Sequence, residues 1–317
     1  MNIRYKTEGA ILGIVRSVVS LIPAGVALFL GTTFGRVAYY MDARHRKVAF
    51  ANFTVAFPQA SRQQARKTIR DCYAFFGSYL FAILRYWKGF HAGEMHFEFE
   101  GLENLQAAYE RNRGVICFTG HYGVWELMAI AHGLQGFSLG VVARKLDNPY
   151  LDGMLTAFRT SSGNFVIDKR AGFRPMLKAL REGRGLALLI DQNVTTDDRI
   201  FVEFFGKQAS TTPALALLKL KTDCSLIPAF AQPLSRNRYR FIYGPPVEVP
   251  RSGNRQEDVG RITQACTAII EDQIRLAPRY WLWLHRRWKT QPGLLDPLPG
   301  AQAVEQSQSV VETEAQA

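Results

Sequence analysis

Beyond Gly89 the chain alternates short apolar runs with amphipathic stretches, and this rhythm limits its possible folds more than any other feature. The runs at 96–99, 115–119, 139–143, 165–167, 186–190, 226–231 and 239–243 are too short for buried helices and read as strands. Between them, 124–132, 149–161, 174–182, 213–221 and 256–275 carry helical spacing. Strands separated by helices predict an α/β fold, a mixed sheet flanked by helices.

The stretch before this core reads differently. From about residue 11 to 87 apolar side chains recur at three and four, as in Val48, Ala49, Phe50, Asn52 and Phe53, and in Cys72, Phe75, Phe76, Leu80, Ile83 and Leu84. Pro58 ends one helix, and Ser61 with Gln64 three residues on opens the next as a capping box. Residues 17–35 hold no charge, beside the apolar run 10–15. That length just reaches the ~20 residues a bilayer span needs. Pro23, two serines, two threonines and three glycines weaken a span, and Arg36, Arg44, His45, Arg46 and Lys47 follow it. A cleaved signal peptide fits poorly, because Glu8 and Arg16 interrupt its pattern and no small-x-small site precedes Arg36. A membrane-associated helix that lies in or dips into the inner leaflet fits at least as well as a span. A buried helix of a soluble protein is the other reading. The expected organisation is an N-terminal helical membrane-associated region over 1–90, an α/β core over 91–290 and an acidic, disordered tail over 291–317.

Charge narrows the partners. Of 317 residues, 39 are Lys or Arg and 27 Asp or Glu, giving +12. Residues 293–317 hold −4 through Asp296, Glu305, Glu312 and Glu314, which leaves +16 for the rest. Such a surface suits anionic lipid, phosphorylated ligands or nucleic acid. No nucleic-acid module is recognisable, so a nucleic-acid partner is not expected. Cys72, Cys117, Cys224 and Cys266 lie far apart without metal-site or disulfide-framework spacing, which favours a reducing compartment.

The chemistry concentrates at Phe118-Thr119-Gly120-His121-Tyr122-Gly123-Val124-Trp125-Glu126, where an apolar strand meets a helix. Sites of α/β proteins sit at such carboxyl-end turns, and flanking glycines let the backbone turn sharply. On one continuous helix His121 and Glu126 would be ~140° apart. They meet only if His121 precedes the helix and folds back. A Glu carboxylate on one imidazole nitrogen would fix the tautomer and leave the other as a general base. The spacing is equally compatible with a purely structural His–Glu hydrogen bond. Arg144-Lys145, Arg159 and Lys169-Arg170 stand at ends of neighbouring elements and can converge on an anionic headgroup, or remain solvated surface. Asp191 and Gln192 follow the strand 186–190 at the same sheet edge and are candidates to orient a substrate. Phe201 to Gly206 reads as acyl-channel lining or as plain core. Tyr280 to Lys289 interleaves aromatics with cations, a mixture suited to a membrane interface. Gly136-Phe137-Ser138-Leu139-Gly140 matches a hydrolase string but lacks the strand-to-helix elbow. No metal-site spacing, phosphate loop or dinucleotide fingerprint is present.

Taken in order, these segments resemble the late acyltransferases of lipid A biosynthesis, the lauroyl and myristoyl transferase family within the lysophospholipid and glycerolipid acyltransferase superfamily. The resemblance runs from about residue 10 to Lys289 over six blocks: Ala49 to Pro58, Phe118 to Glu126, Val142 to Gly163, Leu189 to Asn193, Phe201 to Gly206, and Pro278 to Lys289. It implies that His121 deprotonates an acceptor hydroxyl, oriented by Glu126. The hydroxyl then attacks the thioester of acyl carrier protein or acyl coenzyme A, a co-substrate, with no cofactor. Backbone N–H groups at the start of the following helix are expected to meet the oxyanion. It assigns Arg159, then Arg144, to the acceptor's phosphates. The implied setting is the cytoplasmic face of the bacterial inner membrane, and the implied acceptor an anionic membrane lipid, a lipid A precursor foremost. Other acceptors in the superfamily, of phosphoinositide mannoside or lysophospholipid type, stay open. One departure is Val124, where many members carry Asn. A non-catalytic anionic-lipid-binding protein is the rival reading, and nucleic-acid binding ranks last.

Overall fold

The computed structural model describes residues 3–87, 95–235 and 237–293. Four helices come first: α1 (Ile3–Leu21), α2 (Ala24–Met41), α3 (Ala43–Ala56) and α4 (Arg62–Tyr86). The uncharged run 17–35 is split between two of them. Pro23 lacks an N–H and caps α2, while its carbonyl accepts from the Val26 and Ala27 N–H groups. Among the described residues no helix is long and apolar enough to cross a membrane. At the start of α4, the Ser61 N–H donates to Gln64 Oε1 at 2.7 Å and the Gln64 N–H to Ser61 Oγ at 3.2 Å. α2 and α4 run antiparallel in backbone contact: a Cβ on Gly77 would lie 2.3 Å from the Gly31 carbonyl oxygen.

The chain continues through β1 (His96–Glu100), α5 (Leu102–Glu110), β2 (Val115–Thr119), α6 (Trp125–Leu134) and β3 (Leu139–Ala143). It goes on with α7 (Pro149–Thr160), β4 (Phe165–Asp168), α8 (Phe173–Arg181) and β5 (Gly185–Leu189). β6 (Ile200–Phe204), β7 (Lys207–Thr211), α9 (Ala214–Thr222), β8 (Ser225–Ser235), β9 (Arg238–Tyr243) and α10 (Arg255–Leu276) complete it. Seven strands form one sheet in the order β1-β9-β8-β2-β5-β3-β4, and β6 with β7 forms a separate hairpin. Strands β8, β2, β5, β3 and β4 are parallel, β9 is antiparallel to β8, and β1 is parallel to β9. The sheet is therefore mixed, mostly parallel and flanked by helices. Alternate residues of β2 serve opposite faces. Ile116 and Phe118 join a core with α8, α9 and α10, whereas Val115 and Cys117 join one with α5 and α6. Ser138 leads directly into β3, so no nucleophile elbow forms there.

One expectation changes here and one open alternative closes. The tryptophans of the 280–289 block turn inward: Trp281, Trp283 and Arg287 are fully buried, while Arg286 and Lys289 are exposed. Arg287 Nη1 donates to the Gln192 carbonyl at 3.2 Å and to the Ser210 carbonyl, and Nη2 to Thr211 Oγ1 at 2.6 Å. These partners, together with the Phe204 ring 5.2 Å away, let a cation sit inside although burial lowers its pKa to about 10. The block is thus no membrane-interface belt. Phe204 and Phe205 are core, packed on Trp281 and Trp288. All four cysteines are buried and free. The acidic segment 294–317 lies outside the described residues.

Candidate active site

The parallel register Thr119↔Leu189 places the residues two beyond each strand, His121 and Asp191, side by side at the carboxyl edge. The intervening turn is tightly determined. Gly123 has φ +62°, and a Cβ there would lie 1.6 Å from the Ala231 carbonyl oxygen, so only glycine fits. The His121 carbonyl accepts from the Leu282 N–H at 2.9 Å, and the Gly123 N–H donates to the Tyr280 carbonyl at 2.9 Å. Tyr122 is buried with its hydroxyl accepting from the Gln232 and Gln273 amides. Strand pairing and these bonds hold the imidazole in place.

His121 Nδ1 lies 2.7 Å from Asp191 Oδ1. The other oxygen, Oδ2, accepts from the His121 backbone N–H and from Trp281 Nε1–H, each at 2.7 Å. Burial alone would push the Asp191 pKa up. The adjacent imidazole and these donors outweigh it and hold the carboxyl at about 2. An ionised Asp191 requires Nδ1 to carry the proton, which leaves the Nε2 lone pair as acceptor. Gln192 Nε2 stands 3.1 Å from it and donates. The imidazole is 22% exposed while the carboxylate is 2% exposed, so the ring faces outward and its carboxylate partner does not.

Glu126 takes another partner. It lies in the first turn of α6, but its carboxylate is gripped by Arg159 from the last turn of α7, Nε to Oε2 at 2.9 Å and Nη2 to Oε1 at 2.5 Å. The hydrogen bond expected between His121 and Glu126 is thus made by Asp191, because the turn extends the chain across to β5 before the helix starts. The bidentate pair is nearly buried, at 15% and 11% side-chain exposure, and the Nη1 edge of Arg159 makes no bond to Glu126. Trp125 separates the two clusters, its ring 5.2 Å from both the His121 and Tyr79 rings. Tyr79 OH accepts from the Glu126 N–H at 2.7 Å. Burial and the nearby carboxylate raise the Tyr79 pKa and keep it a phenol.

The structure brings together His121, Asp191 and Gln192, and separately Glu126 and Arg159. Arg144 instead pairs with Asp147 at 3.2 Å on the surface. Lys169 and Arg170 are exposed at the end of β4, three strands from β2, which at ~4.8 Å per strand is ~14 Å away. These three do not contact either cluster. Two of the N–H groups expected to meet the oxyanion are already engaged: Val124 N–H donates to the Ala231 carbonyl at 3.2 Å and Glu126 N–H to Tyr79. The Val124 side chain is buried in the apolar core and offers the site no polar atom. Trp281 is a site residue that sequence reasoning missed. The density of tryptophan in Trp281-Leu282-Trp283 was its only signal.

Comparison with known proteins identifies the family. The family described as bacterial lipid A biosynthesis acyltransferase matches residues 3–290. The chain is 27% identical over 293 residues to the lipid A biosynthesis lauroyltransferase of Escherichia coli K12, covering 91% of this chain and 93% of that protein. It is 28% identical to the palmitoleoyltransferase of that organism, covering 86% and 87%, and 21% identical to its myristoyltransferase, covering 83% and 81%. Among solved structures, the 1-acyl-sn-glycerophosphate acyltransferase of Thermotoga maritima aligns at 14% identity and a TM-score of 0.35, over 78% of this chain and 96% of that one, too distant to carry a structural argument. The match spans both clusters and all four N-terminal helices, and the chain belongs to the bacterial lipid A biosynthesis acyltransferase family.

Proposed function

We propose that this protein moves a fatty acyl chain from the thioester of acyl carrier protein or acyl coenzyme A to a hydroxyl of a lipid A precursor. One arrangement carries the mechanism: an imidazole whose Nδ1–H is pinned by a buried, ionised Asp191, with Nε2 turned toward a hydrogen-bond donor. The acceptor hydroxyl takes the place of the Gln192 amide at Nε2. As its proton passes to Nε2, the oxygen bonds to the thioester carbonyl carbon. Collapse breaks the C–S bond, and the thiolate leaves with the proton from His121. Asp191 positions the base and stabilises the imidazolium without taking the proton. Glu126 acts through Arg159, holding its guanidinium so that the Nη1 edge, which makes no bond to Glu126, meets a phosphate of the acceptor. Arg144, Lys169 and Arg170, farther along the same edge, take outer contacts with the acceptor's anionic groups.

The working place is the cytoplasmic face of the bacterial inner membrane. This reading is supported by α1 and α2, whose outward sides are apolar. Ile11, Ile14, Val15 and Val18 form one exposed stripe on α1, and Phe29, Phe34, Val37 and Met41 line α2. Contiguous exposed apolar surface on this scale marks an interaction face, and helices of this kind lie in the membrane plane. Asn148, the cap of α7, donates to the Tyr5 carbonyl at 3.1 Å and to Glu8 at 3.0 Å. The membrane-facing helix thereby abuts the helix that bears Arg159.

Purified protein, acyl carrier protein thioester and lipid A precursor in mixed micelles test the proposal, with mass spectrometry of the lipid as the readout. A mass increment of one acyl chain is expected, and His121→Ala should abolish it while thermal unfolding stays unchanged. Wild-type turnover by that variant refutes the mechanism. Absence of thioester consumption with every acceptor favours a non-catalytic lipid-binding protein instead.

A further inference from the structure

Between α2 and α4 lies a cavity of about 330 Å³ lined by Arg36, Tyr40, Arg70 and Asp71. Arg36 and Tyr40 are one turn apart on α2, and the glycine seam that sets Gly35 against Tyr73 brings Arg70 of α4 level with them. Among the described residues neither Arg36 nor Arg70 has a carboxylate within ion-pairing distance. The one acid in the lining, Asp71, is occupied by Lys67 at 3.2 Å. Two uncommitted guanidinium forks and a phenol O–H therefore face one hollow, a donor set suited to a phosphate group.

What surrounds the hollow selects the kind of phosphate. Phe34, Val37 and Met41, neighbours of Arg36 and Tyr40 along α2, are 52%, 50% and 79% exposed. A ligand with its charge in the cavity has apolar surface beside it for acyl chains, which a free phosphate would not use. The hollow is separate from the acceptor contact proposed for Arg159. Arg70 precedes Tyr79, the α4 residue at Glu126, by nine residues, ~13 Å along the helix axis.

We propose that this cavity binds the headgroup phosphate of an anionic membrane phospholipid, a lipid that is not the acyl acceptor, and fixes how the enzyme seats on the bilayer. The proposal rests on the membrane reading of α1 and α2. The test is vesicle flotation of the full chain with phosphatidylcholine alone and with phosphatidylglycerol mixed in, at fixed ionic strength. Each basic residue at an anionic surface contributes roughly a factor of five, so R36Q/R70Q should weaken binding to the anionic vesicles about thirtyfold or more and leave neutral-vesicle binding unchanged. The charge-matched control R62Q/R66Q, on the same helix but outside the cavity, should lose clearly less. Thioester turnover in micelles should stay at wild-type level in both variants. Equal losses in the two double variants overturn the site and leave only diffuse attraction. A wild type that binds neutral vesicles without preferring anionic ones overturns the inference alone, whereas binding to neither kind brings down the membrane reading with it.

Discussion

Two carboxylates flank the His121 turn, and their environments assign them different work. Asp191 touches the imidazole and is ionised at about 2 and above. The Glu126 carboxylate is held by the Arg159 guanidinium, and the Glu126 backbone N–H donates to the Tyr79 hydroxyl. In Asp191→Asn the amide can keep accepting from Trp281 and the His121 backbone with its oxygen, which turns its NH₂ toward Nδ1. That favours the tautomer with the proton on Nε2 and removes the base. A kcat lower by about 10³ to 10⁴ is expected with near-normal unfolding, and a kcat within about tenfold of wild type would show that Asp191 does not set the tautomer. Glu126→Gln should act mainly on KM for the phosphorylated acceptor, by loosening Arg159. It should also cost up to ~3 to 5 kcal/mol of stability, the usual penalty for breaking a buried pair. If Glu126 oriented His121, its substitution would instead lower kcat as Asp191→Asn does, with KM unmoved. The sequence made His121 legible because glycines and an apolar strand announce a site turn. Its partner was hidden, because Asp191 is 70 residues away and only strand register reveals the juxtaposition.

At the scale of elements, the α5–α6 side of the sheet holds a buried ionisable group outside the chemistry. His132 in α6 has Nε2 3.2 Å from Tyr109 OH and Nδ1 3.2 Å from Tyr243 OH, and burial lowers its pKa to about 3. The folded state keeps it neutral while the unfolded chain binds a proton near ~6.5. Stability is therefore unaffected by this group above that value and falls by ~1.4 kcal/mol per pH unit below it, until the folded pKa is reached. Between pH 7 and pH 5 His132 should remove ~2 kcal/mol. Urea midpoints at the two pH values should show that loss shrinking in His132→Phe, and an identical slope in both proteins would contradict it. The same scale shows what patterning can and cannot reveal. Seven short runs, continuous in apolar residues or alternating, foretold the seven strands of the main sheet. The nine-residue α5 was missed because it starts after left-handed Gly101 without a side-chain cap and buries only Leu105 and Ala108. The β6–β7 hairpin was missed because its two-residue turn places an aromatic, Phe205, in the left-handed region before Gly206, where Asn or Asp would have signalled it.

For the whole molecule, the question is which side meets the lipid. The +16 of residues 1–292 attracts an anionic surface without choosing a face, so the choice falls to apolar exposure. The aromatic block near the carboxyl end drops out, since its tryptophans are interior. The outward sides of α1 and α2 remain, where Ile14, Val18, Phe29 and Phe34 are each more than half exposed. Full burial of such a side chain contributes about 1.5 to 3 kcal/mol, so the half still in water offers roughly 1 kcal/mol apiece on docking. Changing all four to Gln should then remove roughly 4 kcal/mol of bilayer affinity, about 10³-fold in partitioning. Since none of the four is buried, the thermal unfolding of the fold in solution should hardly move. Transfer to acceptor in detergent micelles should persist, because His121, Asp191 and Arg159 are untouched, while transfer to acceptor embedded in vesicles should fall with binding. A quadruple variant that still floats with neutral vesicles would mean that another surface carries the contact. One that loses activity in micelles as well would mean that α1, through its contact with the cap of α7, supports the Arg159 site directly.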